Sequence, residues 1–254
     1  MLPATAPVLH LLHRDIINLI IENSAAVDGV ALACASRQLN IFANEYAQLS
    51  LQGRFGRAEW LRCGVEIAEE PPISLRMRLE FASGNCMLTL IPDQLTMSEL
   101  DKHALAYRKA LNPSDTTRSN YKYPLVNVGI TDETAKKSGL HWVTVARDVL
   151  LRTRNEPFAE QERIVKEHKY NEMPTLIAVA ASILLHNIRN PGDLVYTDSL
   201  GGQQRTYTRV QERNSNDFRI AVGGFSASGL RVYIDYAYGS DRIGAAGVRK
   251  SFGS

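Results

Sequence analysis

His141, Arg147, Asp148 and Arg154 lie close together in the chain and carry groups that could do chemistry. Arginine presents a bidentate fork to anions, so the group is a candidate for ligand or phosphate binding, or for catalysis. The same stretch also suits a strand-to-helix loop whose arginines sit in surface ion pairs, and that is the simpler reading. A second candidate, Gly224-Phe225-Ser226-Ala227-Ser228-Gly229, has the outline of a nucleophile elbow. That motif needs glycine two residues after the serine, where this chain has Ser228, and its histidine must follow the nucleophile in chain order. The last histidine is His186, so the order is excluded and the segment reads as a turn between two strands.

The six histidines have no H-E-x-x-H or other ligand spacing, and the three cysteines, Cys34, Cys63 and Cys86, form no C-x-x-C pair. There is no P-loop lysine motif and no G-x-G-x-x-G opening a helix after a strand. Neither a metal nor a cofactor is therefore expected. Tyr233, Tyr236 and Tyr238, with Arg231 and Arg242 nearby, have the groups that stack on nucleic-acid bases. Their alternating spacing more simply places them on one face of a strand.

The elements that must position these residues are legible in outline. His141 to Asp148 is rich in β-branched and aromatic residues and predicts a strand. Further strands are expected at Met87 to Ile91, Leu194 to Tyr196, Tyr207 to Gln211, Arg219 to Val222 and Leu230 to Tyr236. Thr96-Met97-Ser98-Glu99 is a capping box that opens a helix through Leu111. Pro157 to His168 predicts another helix, with proline in the first turn. Pro174 to Ile188 is apolar nearly all round, which predicts a helix buried in the core. Helices and strands do not alternate regularly, so the fold class is α+β.

The chain has 254 residues, 44% hydrophobic and 22% charged, with a net charge of +2. That composition is globular, and the charge is too small to imply nucleic acid or an anionic membrane as the partner. The longest apolar run is about half the ~20 residues a bilayer requires, so no membrane span is expected. No cleavable signal is read at the N-terminus, which has no basic region before its apolar residues. Unpaired, odd-numbered cysteines fit a reducing compartment, and a cytoplasmic location is expected, with secretion into a host cell cytosol the alternative.

The first fifty residues differ in character. Leu12, Ile16, Leu19 and Ile20 recur at helical spacing, with Ile17 and Ile21 widening the apolar face. Asp28-Gly29 supplies a break, and Leu32, Ala35, Leu39 and Phe42 predict a second helix; a third helical turn is expected around Glu45 to Leu51. Residues 1–50 carry Arg14 and Arg37 against Asp15, Glu22, Asp28 and Glu45, a balance of −2. A helix-turn-helix DNA reader needs basic residues on its second helix, and this charge repels phosphates. A protein-binding helical module is the better reading.

Leu12-x-x-Asp15-Ile16-Ile17-x-x-Ile20-Ile21, followed by Ser36-Arg37-x-Leu39-Asn40-x-Phe42-Ala43, resembles the F-box cadence. His13 stands where that module often has proline. The remainder is similar to the body of F-box-like proteins of amoeba-associated chlamydiae. The blocks that carry this likeness include Phe55-Gly56-x-Ala58-Glu59-Trp60, His141-Trp142-Val143, Arg147-Asp148-Val149, Tyr207-Thr208-Arg209 and Val222-Gly223-Gly224-Phe225-Ser226. The resemblance implies a bacterial protein delivered into a eukaryotic host, where the N-terminal helices bind a Skp-type ubiquitin-ligase adaptor and the body binds a target protein. Leu12, Asp15, Ile16, Ile17 and Ile20 would be the partner-binding residues. The family's body brings no known activity with it.

The expected organisation is a helical F-box-like module at 1–53, a connecting segment at 54–79 and a larger mixed α+β domain at 80–254. The expected function is a non-enzymatic adaptor or effector-like protein. The alternative is an enzyme or ligand-binding α+β domain in which the N-terminal helices only complete the core.

Overall fold

The computed structural model describes residues 53–73, 81, 86–114, 128–130, 139–168, 172–191, 193, 195, 206–226, 229–235 and 241–250. The expected helices of residues 1–52, and with them Leu12, Asp15, Ile16, Ile17 and Ile20, lie outside the described residues, as do Cys34, Tyr236 and Tyr238.

The described elements are β1 (Arg54–Phe55), α1 (Arg57–Arg62), β2 (Cys86–Ile91), α2 (Met97–Leu111), β3 (His141–Ala146), α3 (Phe158–Glu167), α4 (Leu176–Arg189), β4 (Tyr207–Arg213), β5 (Arg219–Ser226), β6 (Gly229–Asp235), β7 (Ile243–Gly244) and β8 (Val248–Lys250). They form a mixed α+β fold with two four-stranded sheets, ordered β1-β2-β3-β8 and β6-β5-β4-β7. Each sheet is antiparallel apart from one short parallel pair, β1 with β2 in the first and β4 with β7 in the second.

α4 packs against strands of both sheets. That explains its apolar circumference. A helix covered on one side needs one apolar stripe, whereas this one buries Leu176 through Ile183 without a break and then Leu185, His186 and Ile188. Its start is set by Thr175, whose hydroxyl accepts from the Ala178 amide at 3.3 Å, and by Glu212 of β4, which accepts from the Leu176 amide at 2.9 Å. A carboxylate at a helix N-terminus meets both the orphan amides and the positive end of the dipole. In mid-helix the Ser182 hydroxyl lies 2.8 Å from that of Thr89 on β2, a buried polar pin that fixes how the helix sits on the first sheet.

The capping box of α2 forms as its sequence implies. Thr96 accepts from the Glu99 amide at 3.2 Å, and the Glu99 carboxylate takes the Thr96 amide at 2.8 Å. The predicted strands at 87–91, 141–148, 207–211, 219–222 and 230–236 match β2 to β6, several with shifted ends. Val195 lies in a turn, and residues 194 and 196 of the strand expected there lie outside the described residues.

Residues 54–73, expected as a connecting stretch, are woven into the first sheet. Phe55 pairs with Thr89, and Trp60 is completely buried. The following segment is tied down by the Trp142 indole, which donates to the Pro71 carbonyl at 2.8 Å, and by Glu70, which pairs with Arg54. The tie continues through the Arg54 guanidinium, 5.0 Å above the Trp142 ring. The consecutive prolines give an extended path, as their chemistry requires, but that path runs along the core.

The two sheets are joined through residues 243–250. β7 pairs with β4, β8 pairs with β3, and between them the Ala246 amide donates to Thr208 Oγ1 at 2.8 Å. No helix among the described residues is long and apolar enough to cross a membrane.

Candidate functional site

Of the four candidate residues around β3, the strand itself sets His141 apart from the others. His141 opens β3 and Arg147 follows its end, so at ~3.3 Å per residue they stand about 20 Å apart. His141 Nδ1 bonds back to the Gly139 carbonyl. Asp148 uses Oδ1 to accept from the Val149 amide at 2.7 Å, a local turn contact. Arg154 donates to the Asp241 carbonyl at 2.8 Å and to Thr206 Oγ1 at 2.9 Å, which ties its loop to the start of β4.

Arg147 does enter a cluster of ionisable groups, with partners that the sequence reading did not select. Its Nη2 donates to Asp193 Oδ2 at 2.5 Å and lies 3.3 Å from His186 Nε2. His186 Nε2 is 2.9 Å from the same Asp193 oxygen. His186 belongs to the last turn of α4 and is 3% exposed, whereas the side chains of Arg147 and Asp193 are 41% and 46% exposed. The result is a buried imidazole under a half-exposed ion pair. Below it the ring meets Phe55 edge-on, with centroids 5.7 Å apart. One turn of chemistry away, Arg189 lies over the Phe55 ring and pairs with buried Glu59 of α1, its Nε 3.0 Å from Glu59 Oε1. Helix α4 is thus tied at His186 to Arg147 after β3 and, separately, at Arg189 to Glu59 of α1.

The protonation state of His186 follows from its neighbours. The Asp193 carboxylate requires a proton on Nε2, and the nearby Arg147 N–H is then a second donor with nothing to receive it there. Nδ1 faces the Asn190 amide at 3.4 Å and serves as the acceptor. The neutral Nε2–H form satisfies both contacts. Burial pushes the His186 pKa down, the Arg147 charge pushes it the same way, and Asp193 opposes them.

General-base work needs an imidazole nitrogen facing the substrate with the other nitrogen oriented by a carboxylate. Here Asp193 orients Nε2, but Asn190 takes Nδ1 and the ring is buried. Among the described residues its ring partners are Arg147, Asp193, Asn190 and Phe55, none of them a nucleophile. The buried Cys63 thiol is pushed up to about 12, first by burial and then by the Glu59 charge, so it stays protonated at neutral pH. Among the described residues no group of three or more His, Cys, Asp or Glu side chains could hold a metal ion. What the cluster does chemically is lock the end of α4 to β3 through charge.

This makes stability sensitive to acid. The unfolded chain takes up a proton on His186 near the ordinary value of 6.5, while the folded chain resists it. The contribution is therefore complete above pH 6.5 and is lost as the pH falls through the lowered folded value. Thermal melts between pH 7.5 and 5 are expected to show a falling midpoint, with a shallower fall in His186→Gln. Equal slopes in the two proteins would contradict the assignment.

No protein-family model matches the chain, and neither a curated protein nor a solved structure matches it. His186 could have been noticed in the sequence as a polar interruption in a nearly continuous apolar helix, followed by Arg189 and Asn190. Asp193 carried no such signal.

Proposed function

We propose that the protein is a non-enzymatic adaptor. Residues 12–21 and the helical pattern after them dock on a Skp-type adaptor of a cullin ubiquitin ligase, and the α+β body holds a protein target. The observation that carries this reading is the apolar cadence of Leu12, Ile16, Ile17 and Ile20 around Asp15, within a segment of net charge −2. Such a stripe is the pattern of helix-in-groove recognition, where a few apolar anchors supply most of the energy. Each buried aliphatic anchor contributes about 1.5–3 kcal/mol.

The body supports the reading in two respects. The contacts of α4 with strands of both sheets give its apolar surface a cover within the body. In the ionisable cluster, His186 Nε2, Arg147 Nη2 and Asp193 Oδ2 face one another, as in a structural lock. Action in a host cell cytosol belongs to the same proposal, and the buried cysteines Cys63 and Cys86 suit a reducing compartment.

The test is co-elution of the purified full chain with a eukaryotic Skp-type adaptor on gel filtration. Ile16→Asp and Ile20→Asp are expected to abolish co-elution, with Asp15→Arg as a substitution that leaves the apolar stripe intact. Each variant is melted in parallel to confirm folding. Wild-type protein that elutes alone would sink the reading.

A further inference from the structure

Side chains alternate across β4, β5 and β6. Val210, Val222 and Val232 lie in the core, and the opposite face carries Tyr207, Arg209, Arg219, Arg231, Tyr233 and Asp235. The arginines of that face differ in how they are neutralised. Arg209 pairs with Asp235, and Arg213 at the end of β4 pairs with Asp217 at 2.8 Å. Arg219 lies 3.4 Å from the centre of the Phe158 ring and feels the charge of Glu162 on α3. Arg231 has no carboxylate partner among the described residues. Its Nη1 donates to the Tyr207 hydroxyl at 3.3 Å, and its buried Nε makes no hydrogen bond among the described residues.

The backbone has built room for this contact. Tyr207, Gly223 and Arg231 stand in one row across the three strands, each paired with the next. The two side chains are two strands apart, about 9.6 Å of backbone spacing, and between them only glycine fits, because a Cβ on Gly223 would come within 2.4 Å of the Thr206 carbonyl oxygen. Gly224 beside it has φ +55°, and a Cβ there would come within 2.7 Å of the Tyr207 hydroxyl. Tyr207 is held in turn by an edge-on contact with Tyr233, centroids 5.0 Å apart, and by its amide, which donates to the Arg242 carbonyl at 2.9 Å.

With Nη1 on the Tyr207 hydroxyl and Nε buried, Nη2 is the group left to donate to a carboxylate or phosphate oxygen. A partly buried guanidinium with no carboxylate beside it among the described residues is costly unless an anion neutralises it. We propose that Arg231 and the Tyr207 hydroxyl form a binding point for the oxyanion of a ligand, either a carboxylate or a phosphate monoester, against a wall made by Tyr207, Tyr233 and the Gly223–Gly224 backbone. This site is distinct from the N-terminal stripe and stands whether or not that stripe binds an adaptor.

The test titrates the full chain with inorganic phosphate and, separately, with acetate, against sodium chloride at matched ionic strength, and follows the thermal midpoint. At least one probe should raise the midpoint saturably above chloride, by mass action on the folded state. A response to phosphate alone assigns a phosphate ester; a response to acetate assigns a carboxylate. Arg231→Gln should raise the half-saturating concentration about tenfold or more, and Tyr207→Phe by a smaller factor. Arg231→Lys, which keeps the charge and loses the planar guanidinium that spans Tyr207 and the ligand, should weaken binding about threefold or more and serves where Arg231→Gln does not fold. No probe exceeding chloride, or arginine variants that respond like wild type, would overturn the proposal.

Discussion

Asp235→Ala is expected to destabilise the protein by about 3–5 kcal/mol, the range for removing one partner of a buried ion pair. The Arg209 and Asp235 side chains are each 3% exposed, and Arg209 Nε lies 2.5 Å from Asp235 Oδ2. Truncation removes this carboxylate from a guanidinium buried in the sheet, which keeps its bond to the Glu156 carbonyl at 2.8 Å. The pair itself is a weak source of stability, because desolvating two charges offsets most of their attraction. Replacing both, as Arg209→Met with Asp235→Leu, should therefore cost far less than the single change. Urea-unfolding midpoints of the two singles and the double close the cycle. A single-variant loss within about 1 kcal/mol would show that water reaches the pair.

Trp60→Ala is expected to cost about 3–5 kcal/mol from packing alone. Trp60 is fully buried, and its indole Nε1 donates to the Leu90 carbonyl at 2.7 Å. β1 ends at Phe55, opposite Thr89, so the Leu90 carbonyl lies just past the last strand partner on that side. The indole takes over where the short strand stops. Trp60→Phe keeps most of the volume and removes the donor, so it should cost about 1–3 kcal/mol for an unsatisfied buried carbonyl. Against an overall stability of about 5–15 kcal/mol, the alanine variant approaches the limit of folding. If Trp60→Ala melted within a few degrees of wild type, residues 54–73 would be an appended strap and not part of the core.

That last distinction marks where the sequence was hard to read. Long elements with local chemistry were plain: the Thr96-to-Glu99 box opens α2, and the all-round apolar pattern of α4 correctly implied a helix covered on every side. The two-residue strands β1 and β7, and the three-residue β8, offer no periodicity to detect. Missing β1 is why residues 54–79 read as a connection, since Glu69-Glu70-Pro71-Pro72 has the composition of a linker. The arginine group after β3 was legible as a loop making polar contacts, and Arg147 does pair with Asp193. His141 was grouped with it by nearness in sequence, which in an extended strand becomes distance in space. The Gly224–Gly229 segment was readable as a turn because the elbow's chemistry failed first, and β5 and β6 do pair there, Ser226 opposite Gly229. Arg231 and Tyr207 are 24 positions apart, and only the sheet register brings them together.

The adaptor reading rests on residues 12–21 making a docking surface. Its most direct test is calorimetric titration of the full chain with a eukaryotic Skp-type adaptor, alongside Ile16→Asp. The prediction is saturable one-to-one binding by wild type and a loss of affinity of about 30-fold or more in the variant, the scale of one lost hot-spot anchor, while both proteins melt as folded chains. Absence of binding by wild type, or equal binding by a folded Ile16→Asp protein, would contradict it.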